Sequence, residues 1–208
     1  VTASSGFSIS QSLDVSGTLS ATAGTATFTG TSTLNGTANL FNVTINGTSL
    51  ILSASSILGI ANTFTITAGS LNVSSNTPNT VIFNGTGAQT VNAITYHHLT
   101  LSNGNTKTAA AGIAVNGNLT ISPVTTFNAG SYTHTLSGNW INSGTFSAGT
   151  SIVQMTGATN TSITGATTFN ILTINKTASS NVVSLQNNVT VPVINMTTGS
   201  VLTGANTL

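Results

Sequence analysis

The sequence predicts an all-β protein, a right-handed parallel β-solenoid of roughly ten coils. Three observations carry that prediction: a strand-forming composition almost free of charge, short runs of strict alternation, and internal self-similarity. Lys107, Lys176 and Asp14 are the whole charged complement of 208 residues. Thr, Ser, Asn and Gly make up more than half of the chain. Thr, Val and Ile suit a pleated surface because they branch at Cβ. Asn and Gly tolerate the left-handed backbone of tight turns. The strong helix formers Glu, Lys, Arg and Gln are nearly absent.

Alternation places the strands. Phe64-Thr65-Ile66, Leu71-Asn72-Val73, Val81-Ile82-Phe83, Leu119-Thr120-Ile121 and Leu172-Thr173-Ile174 each put apolar groups two residues apart. Period two in runs this short is the strand signal. Turn residues return every 8–12 positions, which suits a sandwich, a barrel or a solenoid.

Repetition selects the solenoid. Phe28-Thr29-Gly30 leads to Phe41-Asn42-Val43-Thr44-Ile45-Asn46. Phe83-Asn84-Gly85 leads to Tyr96-His97-His98-Leu99-Thr100-Leu101, and Met155-Thr156-Gly157 to Phe169-Asn170-Ile171-Leu172-Thr173-Ile174. The second interval exceeds the first by about one coil, and His134 to Phe146 reads as the coil added. Val15 to Ala21 resembles Asn142 to Ala148, and Ala68-Gly69-Ser70-Leu71 recurs at Ala129 and Thr198. The expected object is one repetitive domain over 1–208. Apolar ladders face inward, Thr and Ser outward, and Asn stacks at the corners. About ten coils at roughly 4.8 Å each give a rod of order 50 Å.

The runs Phe41 to Asn46, Phe169 to Lys176, Val115 to Ile121 and Asn188 to Val193 resemble the repeats of secreted bacterial proteins. The likeness is to filamentous-haemagglutinin-like adhesins, autotransporter passengers and very large low-charge surface proteins. It implies a secreted, surface-exposed stalk or fibre and carries no catalytic residue across. His97-His98 departs from it, since such repeats more often have Asn there.

Composition narrows the function classes. Asp14 has no second carboxylate to pair with, which closes two-carboxylate glycoside hydrolysis. Without Cys, and with three His, little is present to bind a metal or power a nucleophile. The expectation is therefore a non-enzyme without a cofactor or metal. Two basic residues make no polyanion-binding patch, so no nucleic acid is expected. No run of about 18 apolar residues marks a membrane span. The near-neutral surface favours self-association. Neither end reads as a solenoid cap, so the sequence predicts either part of a longer solenoid or a subunit stacking head to tail.

The candidate residues are few. His97 and His98, adjacent on a strand, are expected on opposite faces and unable to share a metal. Asp14 reads as a turn or edge residue, and Lys107 and Lys176 as solubilising turn charges. Tyr96, Tyr132 and Trp140 are the possible surface-binding residues: grouped on one face they would stack on glycans, whereas burial would assign them to the core. Alternate Thr from Thr25 to Thr33 suggests the regular hydroxyl and methyl array of an ice-binding solenoid. The leading expectation is an extracellular fibre or stalk segment, whose partners are copies of itself or neighbouring repeats. A glycan- or cell-surface-binding adhesin and an ice-binding solenoid are the alternatives.

Overall fold

A computed structural model describes residues 2–208, and every strand pairing in it is parallel. Among the described residues the fold is all-β without helix, a solenoid of about ten turns. Each full coil visits three faces in a fixed order. From residue 89 onward the order is plain: Gln89–Val91 joins a four-stranded sheet, Thr95–Tyr96 a six-stranded sheet, and His98–Leu101 the longest sheet. Asn105–Ala109, Ala114–Val115 and Leu119–Ile121 repeat the circuit. We call these positions face II, face III and face I.

In the first half of the chain, strands turn the corners without breaking. Ser12–Ala21 and Thr31–Leu40 run from face III onto face I, and Asn42–Leu52 and Phe64–Asn72 from face II onto face III. The register shifts at those corners, between Val15 and Thr18 for example, mark the bends. This continuity merges all three faces into one 15-stranded sheet.

Inward columns form the core. On face I, Ala38, Leu58, Val81, Leu99, Leu119, Trp140, Ile163 and Leu185 stand in successive register. Face III stacks Tyr96, Val115, Leu136, Met155, Ile174 and Met196. Coil length varies between neighbours such as Val81 and Leu99, 18 apart, and Leu58 and Val81, 23 apart. Loops absorb the difference while the strands stay in register. Close stacking constrains the corners: a Cβ on Gly165, at φ +88°, would fall 1.7 Å from the Asn142 carbonyl oxygen.

The three sequence blocks do not coincide with the coil. Asn42–Ile45 lies on face II, His98–Leu101 on face I and Ile171–Asn175 on face III. The interval between the second and third is thus not a matter of one added coil. Trp140 belongs to an ordinary coil, in register with Leu119 and Ile163. The blocks repeat strand-and-turn chemistry, which any face accepts.

One discontinuity interrupts the stack. Among the described residues, Phe64–Asn72 pairs with Asn42–Leu52 on one side and with no strand on the other. Its inward Ile66 and Leu71 stay half-buried, whereas Ile45 and Leu50 of the neighbouring coil are fully enclosed. Two uncharged grooves, of about 350 and 540 Å³, lie between this coil and residues 88–95.

Candidate functional site

The three aromatics do not form a surface group. Tyr96 is buried with its hydroxyl donating to the Asn92 carbonyl at 2.8 Å, and its ring meets Phe83 edge-on. Trp140 is buried at the centre of an aromatic cluster, 4.7 Å from Phe146 and 5.0 Å from Phe169 between ring centroids. Its indole N–H donates to the Thr167 hydroxyl at 3.2 Å. Only Tyr132 reaches solvent, and its ring lies over Gly130. Trp140 occupies an inward position of face I, and a large ring there fills space that a smaller residue would leave void.

The lysines are also placed differently from the turn charges expected. Lys107 is enclosed, inward-facing between Gln89 and Phe127 in the ladder of face II. Its Nζ donates to the carbonyls of Gly85, at 2.5 Å, and Gly87, at 3.0 Å. Lys176 is buried with Nζ donating to the Thr156 carbonyl. Each stem fills the interior while the amine satisfies backbone oxygens at a turn. Desolvation lowers both amine pKa values from the usual 10.5. The sequence signal for Lys107 is its parity: in Thr106-Lys107-Thr108 the two Thr take the outward positions.

Asp14 is exposed on the edge strand of face III. It accepts from Ser12 Oγ at 2.6 Å and from Asn35 Nδ2 at 2.5 Å, and these bonds hold its pKa below the usual carboxylate value.

His97 and His98 are not on opposite faces. His97 sits at the corner between Thr95–Tyr96 and His98–Leu101, and the two rings meet edge-on with centroids 4.4 Å apart. A corner breaks the alternation that holds within a strand. His98 Nδ1 accepts the Asn118 backbone N–H at 2.9 Å. One coil on, Asn118 Oδ1 accepts the Asn139 N–H at 3.0 Å, and Asn139 Oδ1 accepts that of Ser162 at 2.8 Å. His98 thus starts a corner ladder that asparagines continue, its Nδ1 taking the acceptor role that Asn118 and Asn139 fill with Oδ1. His134, buried, donates from Nε2 to the Ala129 carbonyl at 2.9 Å and accepts the Ile113 N–H at Nδ1 at 3.3 Å. Among the described residues no three His or acidic groups converge on a metal position.

These bonds need neutral imidazoles, and burial pushes all three His pKa values below the usual 6.5. The unfolded chain takes up these protons near pH 6.5, whereas the folded chain resists until lower pH. The histidine contribution to stability is therefore complete above about pH 6.5 and is lost as the pH drops through the folded values. Urea midpoints measured from pH 7.5 to pH 5 are expected to decline, and the decline to shrink in a His134→Phe variant.

Thr residues are distributed by face. Thr25 and Thr27 lie on face II, while Thr31 and Thr33 have turned onto face III, so the run from Thr25 to Thr33 makes no single array. A recurring array stands further along face II, at Thr106 and Thr108, Thr126 and Asn128, and Thr145 and Ser147. Comparing triplets one coil apart reveals it in the sequence, where a search along one run does not.

Comparison with protein-family models, with curated proteins and with solved structures found no match.

Proposed function

We propose that this chain is a structural segment of an extracellular fibre or stalk, stacking on copies of itself or continuing into neighbouring coils. One observation carries the reading. The inward column of face III is sealed from Tyr96 to Ile174, none of them more than 2% exposed, yet its last member, Met196, is 50% exposed. The inward Ile194 and Val201 of the same coil are half-buried, whereas their register partners Leu172 and Val183 one coil back are fully enclosed. Strand edges at a terminal coil carry unpaired donors and acceptors, and another parallel coil satisfies both the edge and the apolar column. The low-charge surface presents little repulsion to such stacking, and the likeness to secreted bacterial surface repeats points the same way. The described residues contain no helix long and apolar enough to cross a membrane.

The mechanical role follows from the build. Ladders of backbone hydrogen bonds run along the rod, and enclosed apolar columns resist bending. Negative-stain electron microscopy of purified protein over a dilution series tests the reading. Unbranched filaments whose length grows with concentration are expected. Discrete rods of a single length at every concentration would overturn self-stacking.

A further inference from the structure

The outward side chains differ systematically between faces. On face II every coil bears an outward hydroxyl. Ser8, Thr27, Thr44 and Thr65 stand in successive register. In the next sheet two rows run side by side, Thr106–Thr126–Thr145 and Thr90–Thr108–Asn128–Ser147. Thr168 and Thr190 carry the pattern over the last coils. The equivalent outward positions elsewhere are mixed: Gly59, Ile82 and Ile141 interrupt face I, and Ala114, Gln154 and Ile171 interrupt face III. Strand propensity accounts for outward Thr on every face, Thr100 and Thr120 on face I and Thr135 and Thr173 on face III among them, but not for rows that only face II keeps uninterrupted. Rows that run unbroken on one face and are interrupted on the other two call for a reason on the outside of the rod.

We propose that face II is a binding surface for ice, holding an ordered layer of water between the Thr rows. The dimensions are regular in both directions. Neighbouring Thr along a row are about 4.8 Å apart, and the two rows about 6.6 Å apart, because strand spacing and rise set both. These distances approximate oxygen repeats in the ice lattice. Branching at Cβ restricts each Thr to few rotamers, so methyls and hydroxyls are held in place before water arrives. None of the hydroxyls of Thr90, Thr106, Thr108, Thr126 and Thr145 bonds to the protein among the described residues, which leaves each free for water. A charged group here would impose its own hydration shell, and the sheet's charge, Lys107, points inward. The aromatics of this sheet, Phe127 and Phe146, also point inward, so face II offers no stacking platform for a sugar ring. That favours ice over a crystalline polysaccharide.

The surface is independent of end-to-end stacking, and its test reads separately. Ice crystals grown in the purified protein are followed for a gap between melting and growth temperatures, and for partition of protein into the ice. Wild type is expected to open a gap and enter the ice. Thr126→Lys, at the centre of the double row, is expected to lose both. Thr120→Lys, outward on face I, is expected to keep both. Circular dichroism confirms that both variants hold the wild-type fold. Absence of a gap and exclusion from ice in the wild type would overturn the proposal. Equal loss in the two variants would do the same, as would retention on crystalline chitin without any effect on ice.

Discussion

Trp140→Ala is expected to destabilise the protein by about 3–5 kcal/mol, the range for removing a large aromatic from a core. The indole fills the centre of the rod between Leu119 and Ile163, and its ring contacts reach Phe146 and Phe169. Removing it also frees the Thr167 hydroxyl from the indole N–H. Its removal has a second consequence specific to a stack. Coils hold to their neighbours alone, so a weakened interface uncouples the two sides. Urea unfolding followed by circular dichroism is expected to change from one transition to two, with coils on either side of residue 140 melting separately. Trp140→Phe keeps an aromatic ring and loses the donated hydrogen bond, and is expected to cost about 1–2 kcal/mol and retain one transition.

The second large effect is expected at Lys107, and it has an unusual pH signature. Lys107→Ala empties enclosed volume and leaves the Gly85 and Gly87 carbonyls without their donor, costing about 2–5 kcal/mol. Lys107→Met keeps most of the stem and loses the amine, costing about 1–3 kcal/mol for the unsatisfied carbonyls. Burial favours the neutral amine, while the unfolded chain keeps its proton up to about pH 10.4. Between the lowered folded pKa and that value the unfolded state binds more protons, so stability rises with pH. Lys176 contributes in the same direction. Above about pH 10 the trend reverses, because Tyr96 ionises readily only when unfolded; burial holds its phenol neutral in the fold. Urea midpoints are expected to rise from pH 8 to pH 9.5 in the wild type, and less steeply in Lys107→Met.

These two residues also show what was legible in the sequence. Alternation of the type Leu99-Thr100-Leu101 identified strands correctly, because burial on one side of a sheet imposes period two wherever the strand lies. The same generality hid the phase. Phe41-Asn42-Val43-Thr44-Ile45 and Ile171-Leu172-Thr173-Ile174 look like one repeat, but they occupy faces II and III. Period two states which side is inward, and nothing in it distinguishes one flat face from another. Lys107 was misread because a charge beside a turn is usually solvated. Its neighbours Thr106 and Thr108 claim the outward parity, and the turn supplies carbonyls within reach of the amine. Tyr96 and Trp140 left two readings open in the sequence, surface stacking or the core, and their burial decides for the core. The corner that brings His97 against His98 was not legible, since alternation carries no sign of where a strand ends.

Register is the central claim, and cysteine pairs test it most directly because the chain has no native Cys. Thr100 and Thr120 are outward partners on adjacent coils of face I, within the span a disulfide bridges. Thr100 and Ile141 lie on the same face, two coils apart. Oxidation of the Thr100→Cys/Thr120→Cys variant, read by mass spectrometry of its proteolytic fragments, is expected to link the two positions nearly completely. The Thr100→Cys/Ile141→Cys variant is expected to remain reduced within each molecule. Efficient linkage of the second pair, or failure of the first in folded protein, would contradict the three-faced solenoid on which every functional inference above depends.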